Sequence, residues 1–175
     1  MQSHLYGWIY FRVNLDAFAS ICHEPDMAKQ IKDETIDLWK SLMRASERAL
    51  AFIEAELATQ SLPPLNWYDA LLEIEKAGKE GIRPYALKDQ LLLPQYGTSR
   101  LLNKIENAGL ISRIACDSDG RGHAVRITKD GRETRRKMWP VYEECLKKLL
   151  EDRFSASEIE SVASRLDQIS PPDRK

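Results

Sequence analysis

LKDQLLLPQYGTSRLLNKIENAGLISRIACDSDGRGHAVRITKDG, Leu87–Gly131, changes its periodicity from helical to alternating and back again. Just ahead of it, Pro84 suits the first turn of a two-turn helix over Tyr85–Leu92, since its fixed φ is helical and its missing N–H is not needed there. Pro94 breaks that helix, and the next is expected from about Tyr96 to Ala108, where Gly109 stops it. Two short helices joined by a tight turn are helix-turn-helix geometry. Leu110–Ala115 (LISRIA) and Ala124–Thr128 (AVRIT) alternate and are β-branched, which predicts two strands, and CDSDGRGH between them is turn chemistry. The stretch therefore predicts a winged helix-turn-helix.

Working outward, Ile36, Trp39, Met43, Leu50, Ile53 and Leu57 recur at spacings of three and four, with Ser46 in the gap, so a helix is expected over Ile31–Thr59. Its stripe is longer than one small domain easily covers. Packing within the chain competes here with an arm that pairs two copies. Ser61-Leu62-Pro63-Pro64 ends this helix, and Asn66 is expected to cap another that carries Trp67, Leu71, Leu72 and Ile74 to Ala77-Gly78. On the other side, a long helix is expected from Lys129 to about Arg153, with Met138, Val141, Cys145 and Leu149 as its stripe and Pro140 predicting a kink or fray. Ser155-Ala156-Ser157-Glu158 offers a capping box for a last helix, Glu158–Ile169, before Pro171-Pro172. The expected fold is mainly α with a small β wing, a winged helix-turn-helix flanked by long dimerisation helices. The parts are an unassigned extension at 1–30, a first dimerisation helix at 31–60, a DNA-binding lobe at 61–130 and C-terminal dimerisation helices at 131–170.

The formal net charge of -1 hides a gradient. Residues 79–137 hold 13 basic and 7 acidic side chains, whereas residues 1–78 hold 7 and 12, so a positive centre lies between acidic flanks. Cys22, Cys116 and Cys145 lack framework or metal-ligand spacing, which argues for reduced thiols and a cytoplasmic setting. The apolar run Leu5–Val13 is too short to span a membrane, is interrupted by Arg12, and lacks the marks of a signal peptide. His4, His23 and His123 are isolated and no phosphate loop or HExxH occurs, so no catalytic residue, metal site or cofactor is expected.

In the second short helix Leu101, Leu102 and Ile105 must face the core. That leaves Gln95, Thr98, Ser99 and Asn103, with part of Arg100 and Lys104, on the outer face. These are side chains that read base edges and phosphates in a major groove. Gly97 would let backbone approach a phosphate at the helix dipole. A polar solvent face is the plainer account of the same residues. At the hairpin tip Arg121 lies between Gly120 and Gly122, a reach suited to a narrow minor groove, and Asp119 can direct it. A surface ion pair of little energy is the plainer account there.

Together, the helix-turn-helix LKDQLLLPQYGTSRLLNKIENAGLISR, the wing DGRGHAVRIT and the following KDG resemble the MarR family of bacterial transcriptional regulators over roughly residues 31–170. The resemblance implies a homodimer with interleaved terminal helices, its reader helices in major grooves and its wing arginines in adjacent minor grooves. By position it implies that Thr98, Ser99, Arg100, Asn103 and Lys104 contact double-stranded DNA from the reader and that Asp119 and Arg121 form the wing pair. Pro94 and Tyr96 before the reader, the glycine-rich wing and residues 1–30 depart from the family pattern, so no operator sequence carries over. The family also implies a repressor released by a small aromatic or anionic ligand, for which Trp39, Met43, Arg44, Trp67 and Tyr68, beside Leu71, are the candidate contacts. Core packing is the plainer account of Trp39 and Trp67. Two alternatives stay open: a winged helix that docks on protein without binding an operator, and a thiol-based redox sensor using Cys22, beside His23, or Cys116.

Overall fold

A computed structural model of the chain describes residues 31–91, 97–115 and 123–169. It divides into two compact units, Met1–Ser41 and Leu42–Lys175. In the first unit the described residues are the opening of helix α1 (Asp33–Thr59), where Asp33 and Glu34 meet the positive end of the helix dipole. Leu38 and Trp39 are exposed there, and Asp37 pairs with Lys40 one turn on, at 3.7 Å.

In the second unit, α2 (Leu65–Lys76) carries apolar residues on two faces, and each face founds a core. Leu65, Tyr68 and Leu72 pack with Ile53 and Leu57 of α1 and with Met138, Val141 and Cys145 of α5 (Lys129–Leu146). Ala70, Leu71 and Ile74 pack with the winged helix, which comprises α3 (Pro84–Gln90), α4 (Thr98–Asn107), β1 (Ile111–Ala115) and β2 (His123–Ile127). A helix with apolar stripes on both sides is the joint between two cores.

The strands pair antiparallel from Ile111↔Ile127 to Ala115↔His123. Ile82 adds a one-residue bridge to Val125, exchanging N–H···O bonds of 3.0 and 2.9 Å. Thr128 then joins three elements. Its N–H donates to Leu110 O at 3.0 Å, its hydroxyl donates to Gly109 O at 2.8 Å, and the same oxygen accepts from Gly131 N–H at 3.0 Å, capping α5. Gly131 has no alternative at this point: a Cβ would lie 2.1 Å from Leu110 O.

Asn66 does not cap α2. Pro64 holds extended backbone (φ -58°, ψ 154°) and the helix starts directly after it, so Asn66 falls inside the first turn. Its Oδ1 is buried without a hydrogen-bond partner among the described residues. The capping acceptor comes from α1 instead, where Glu54 Oε1 accepts from Leu65 N–H at 3.0 Å. Burial pushes the Glu54 carboxyl above its usual range, against the opposing pull of that amide.

Helix α5 continues through Pro140, which has no N–H to give the ladder, to Leu146, and Lys147–Glu151 follow with Asp152 N–H bonded to Lys147 O at 3.0 Å in π-type spacing. Leu149 packs against the core shared with α1 and α2. Leu150 and Phe154, just beyond, are exposed. Helix α6 (Ala156–Asp167) starts with the expected capping box: Ser155 Oγ accepts from Glu158 N–H at 3.4 Å and Glu158 Oε2 accepts from Ser155 N–H at 2.8 Å. The Ser155 hydroxyl, which donates to Glu158 Oε2 at 2.7 Å, and then the Ser155 backbone amide hold the Glu158 carboxyl below its usual range. Val162 and Leu166 on α6, and Ile169 just past it, remain exposed. No helix among the described residues is long and apolar enough to cross a membrane.

Candidate nucleic-acid interface

Helix α4 begins at Gly97, whose φ of 103° is a left-handed conformation that L side chains rarely adopt. The residue's carbonyl accepts from Arg100 N–H at 2.8 Å and Leu101 N–H at 3.1 Å, and Gly97 itself has no side chain to cap the first turn. Leu101, Leu102 and Ile105 are buried as expected, and Ser99, Arg100, Asn103 and Lys104 are exposed together.

Thr98 departs from expectation. It is only 9% exposed, and its Oγ1 is buried with no partner among the described residues. The reason is spacing: 98, 101, 102 and 105 fall on one helical stripe, so Thr98 occupies the inward face that its polarity disguises. Asp119 and Arg121, along with Gln95 and Tyr96, lie outside the described residues.

Arg113 was not singled out by its sequence context. On β1 it donates from Nη2 to Asn103 Oδ1, and its Nη1 lies 3.4 Å from Glu106 Oε2, so the strand holds two residues of the reader helix. A signal existed. Strand alternation puts Arg113 on the same side as Ile111, although its side chain stays exposed.

A cleft of about 480 Å³ opens beside this arrangement, lined by Arg83, Pro84, Tyr85, Ser99, Leu102, Arg113 and His123. It brings together the start of α3, the reader and both strands. Tyr85 is 69% exposed at its edge. Arg83, His123 and the Ser99 hydroxyl border it over Leu102 and Pro84, while the Arg113 guanidinium beside them is already engaged by Asn103 and Glu106.

The expected ligand contacts, none of which lines this cleft, are divided. Adjacent residues on a helix point about 100° apart, and Trp67 accordingly packs on the winged-helix core while Tyr68 packs on the other. Tyr68 stacks on Trp139, with ring centroids 6.1 Å apart, and meets Tyr142 edge-on at 5.4 Å. Trp39 is 59% exposed, and Met43 and Arg44 are also exposed. Of the three cysteines, Cys145 is a free, buried thiol whose pKa burial pushes up, an environment for an inert sulfur. Cys22 and Cys116 lie outside the described residues.

A helix-turn-helix with a two-stranded wing beside the reader defines the winged helix-turn-helix class. Residues 60–122 match the model of the MarR family. Among solved structures, a MarR family transcriptional regulator from Streptomyces coelicolor in complex with DNA is similar with a TM-score of 0.74 and 19% identity, over 83% of this chain and 91% of that one. A MarR from E. coli complexed with operator DNA is similar with a TM-score of 0.69 and 19% identity, over 81% of this chain and 99% of that one. An organohalide-sensing regulator in its 2,4-dichlorophenol bound form is similar with a TM-score of 0.68 and 15% identity, over 85% of this chain and 86% of that one. No curated protein sequence matches. The MarR family match covers residues 60–122, and across most of the chain the likeness to these structures is one of fold.

Proposed function

We propose that the protein binds a specific double-stranded DNA operator as a homodimer and represses transcription until a small aromatic or anionic ligand releases it. The observation that carries the DNA reading is the outward face of α4, where Ser99, Arg100, Asn103 and Lys104 stand together beside the wing. Arg and Lys supply phosphate or guanine contacts, Asn supplies an amide, and a glycine N-cap leaves room for a phosphate to approach the start of the helix. The basic balance of residues 79–137 supports the same reading. DNA complexes of two structural relatives add analogy at the level of the fold.

Dimerisation is supported by the uncovered stripe of Val162, Leu166 and Ile169, which continues the apolar exposure of Leu150 and Phe154. The ligand reading is supported by the cleft at Arg83 and Arg113, which touches the reader through Ser99. A phenol-bound relative fits the same ligand chemistry.

Selection of bound duplexes from a random pool tests the DNA reading. The expected product is an inverted repeat with half-sites about one helical turn apart, bound with a steep salt slope. No enrichment at low salt would overturn it. Addition of 2,4-dichlorophenol or benzoate to the selected complex tests the ligand reading. Weaker binding is expected, and an operator affinity blind to both probes at millimolar-order concentration removes aromatic ligands of that kind.

A further inference from the structure

We propose that Arg113 is a positioning residue that sets the hydrogen-bonding polarity of Asn103, so that the reader helix offers the base edge an amide donor rather than a donor–acceptor pair. The inference rests on the DNA-binding reading of α4. A guanidinium has donors and no acceptor, so the atom of the Asn103 amide that faces it must be the oxygen. The amide is planar, and its NH₂ group is thereby turned away from Arg113. Glu106, one turn further along α4, takes the other arm of the guanidinium at 3.4 Å. The backbone of Arg113 is held in turn by pairing with Val125 at the centre of the wing. Asn103 is therefore gripped from a strand, although it stands on an exposed helix face.

The consequence lies in base choice. A bidentate match of asparagine to adenine needs its oxygen toward N6 and its nitrogen toward N7. An oxygen turned to Arg113 removes half of that match. What remains outward is a donor, which favours a base with acceptors on its major-groove edge, and guanine presents two, O6 and N7. The energy of an exposed ion pair is small, so Arg113 contributes to specificity far more than to stability.

The test uses the full chain and repeated selection of duplexes from a random pool. The column read by Asn103 is the one whose preference disappears in Asn103→Ala. Guanine is expected there for the native protein. Arg113→Met removes the donors on an unbranched side chain, and is expected to move the preference to adenine by roughly tenfold. Asn103→Asp keeps the grip on Arg113 and turns an acceptor outward, so cytosine or adenine, each with an amino group, is expected. The second variant decides the matter if Arg113→Met fails to fold. An unchanged base and discrimination in a folded Arg113→Met, or guanine retained in Asn103→Asp, overturns the positioning role while leaving the DNA reading intact. No enrichment by the native chain overturns the DNA reading and this inference with it.

Discussion

Gly131 shows how one residue ties the wing to the helix that follows. In the middle of a helical turn alanine is normally the better residue by about 1 kcal/mol. Here a methyl group would meet Leu110 O at 2.1 Å and Ile127 Cγ1 at 2.8 Å, so overpacking outweighs propensity. Gly131→Ala is expected to lower stability by about 2 kcal/mol, and urea unfolding of the two proteins side by side checks it. An equal midpoint and slope would mean that α5 can shift away from Leu110 at no cost. Arg100 and Lys104 belong to the same scale. Each is expected, on changing to alanine, to weaken operator binding and to reduce the salt slope by roughly one unit if it contacts a phosphate. A lysine or arginine whose loss alters base preference with the slope unchanged would instead be reading a base.

Elements are joined here by polar links as well as by apolar contact. Glu54 on α1 accepts from the first amide of α2, and burial holds its carboxyl above the usual range. A folded pKa above the unfolded one means a contribution that is full below the unfolded pKa and is lost as pH rises through the folded pKa. Glu54→Gln keeps an acceptor oxygen without the charge. It is expected to melt at or above the native temperature at neutral pH and to flatten the loss of stability between acid and neutral pH. Glu54→Ala, which removes the acceptor, is expected to melt lower. Calorimetry across pH checks both, and a Glu54→Gln protein that melts well below native would show that the charge itself holds the cap. The helix boundaries were largely legible from local chemistry: Pro84 opens α3, Gly109 follows α4 and Ser155 with Glu158 opens α6. Asn66 failed as a cap because the helix starts two residues earlier, with Pro64 in the cap position.

For the whole molecule, the informative surface is the one left uncovered. Met138, Val141 and Cys145 of α5 and Leu149 just after it, expected to form one long stripe, pack against α1 and α2, so their apolar surface is accounted for within the chain. Val162, Leu166 and Ile169 are not accounted for in this way. Leu166→Asp, 42% exposed in the single chain, is therefore expected to leave the fold intact while converting a dimer to a monomer and weakening operator binding steeply, since two half-sites are held jointly. Light scattering beside an operator titration checks it. A variant still dimeric at micromolar concentration would place the interface elsewhere.

By itself the sequence determined the element order, the two short helices and the strand pair that follows them, because periods of 3.6 and 2 and the punctuation of proline and glycine are local signals. It also held the clue that Thr98 belongs to the stripe of Leu101, Leu102 and Ile105, though its hydroxyl suggested otherwise. Tertiary structure decided which residues of different elements meet. Trp67 and Tyr68, neighbours in sequence, were parted between two cores by the helical rotation between them. Arg83, Ser99, Arg113 and His123 were brought to one cleft from a connector, a helix and two strands. Arg113 reached Asn103 across the turn between α4 and β1. Such meetings depend on how helices and strands are stacked, and no spacing along the chain encodes that stacking directly.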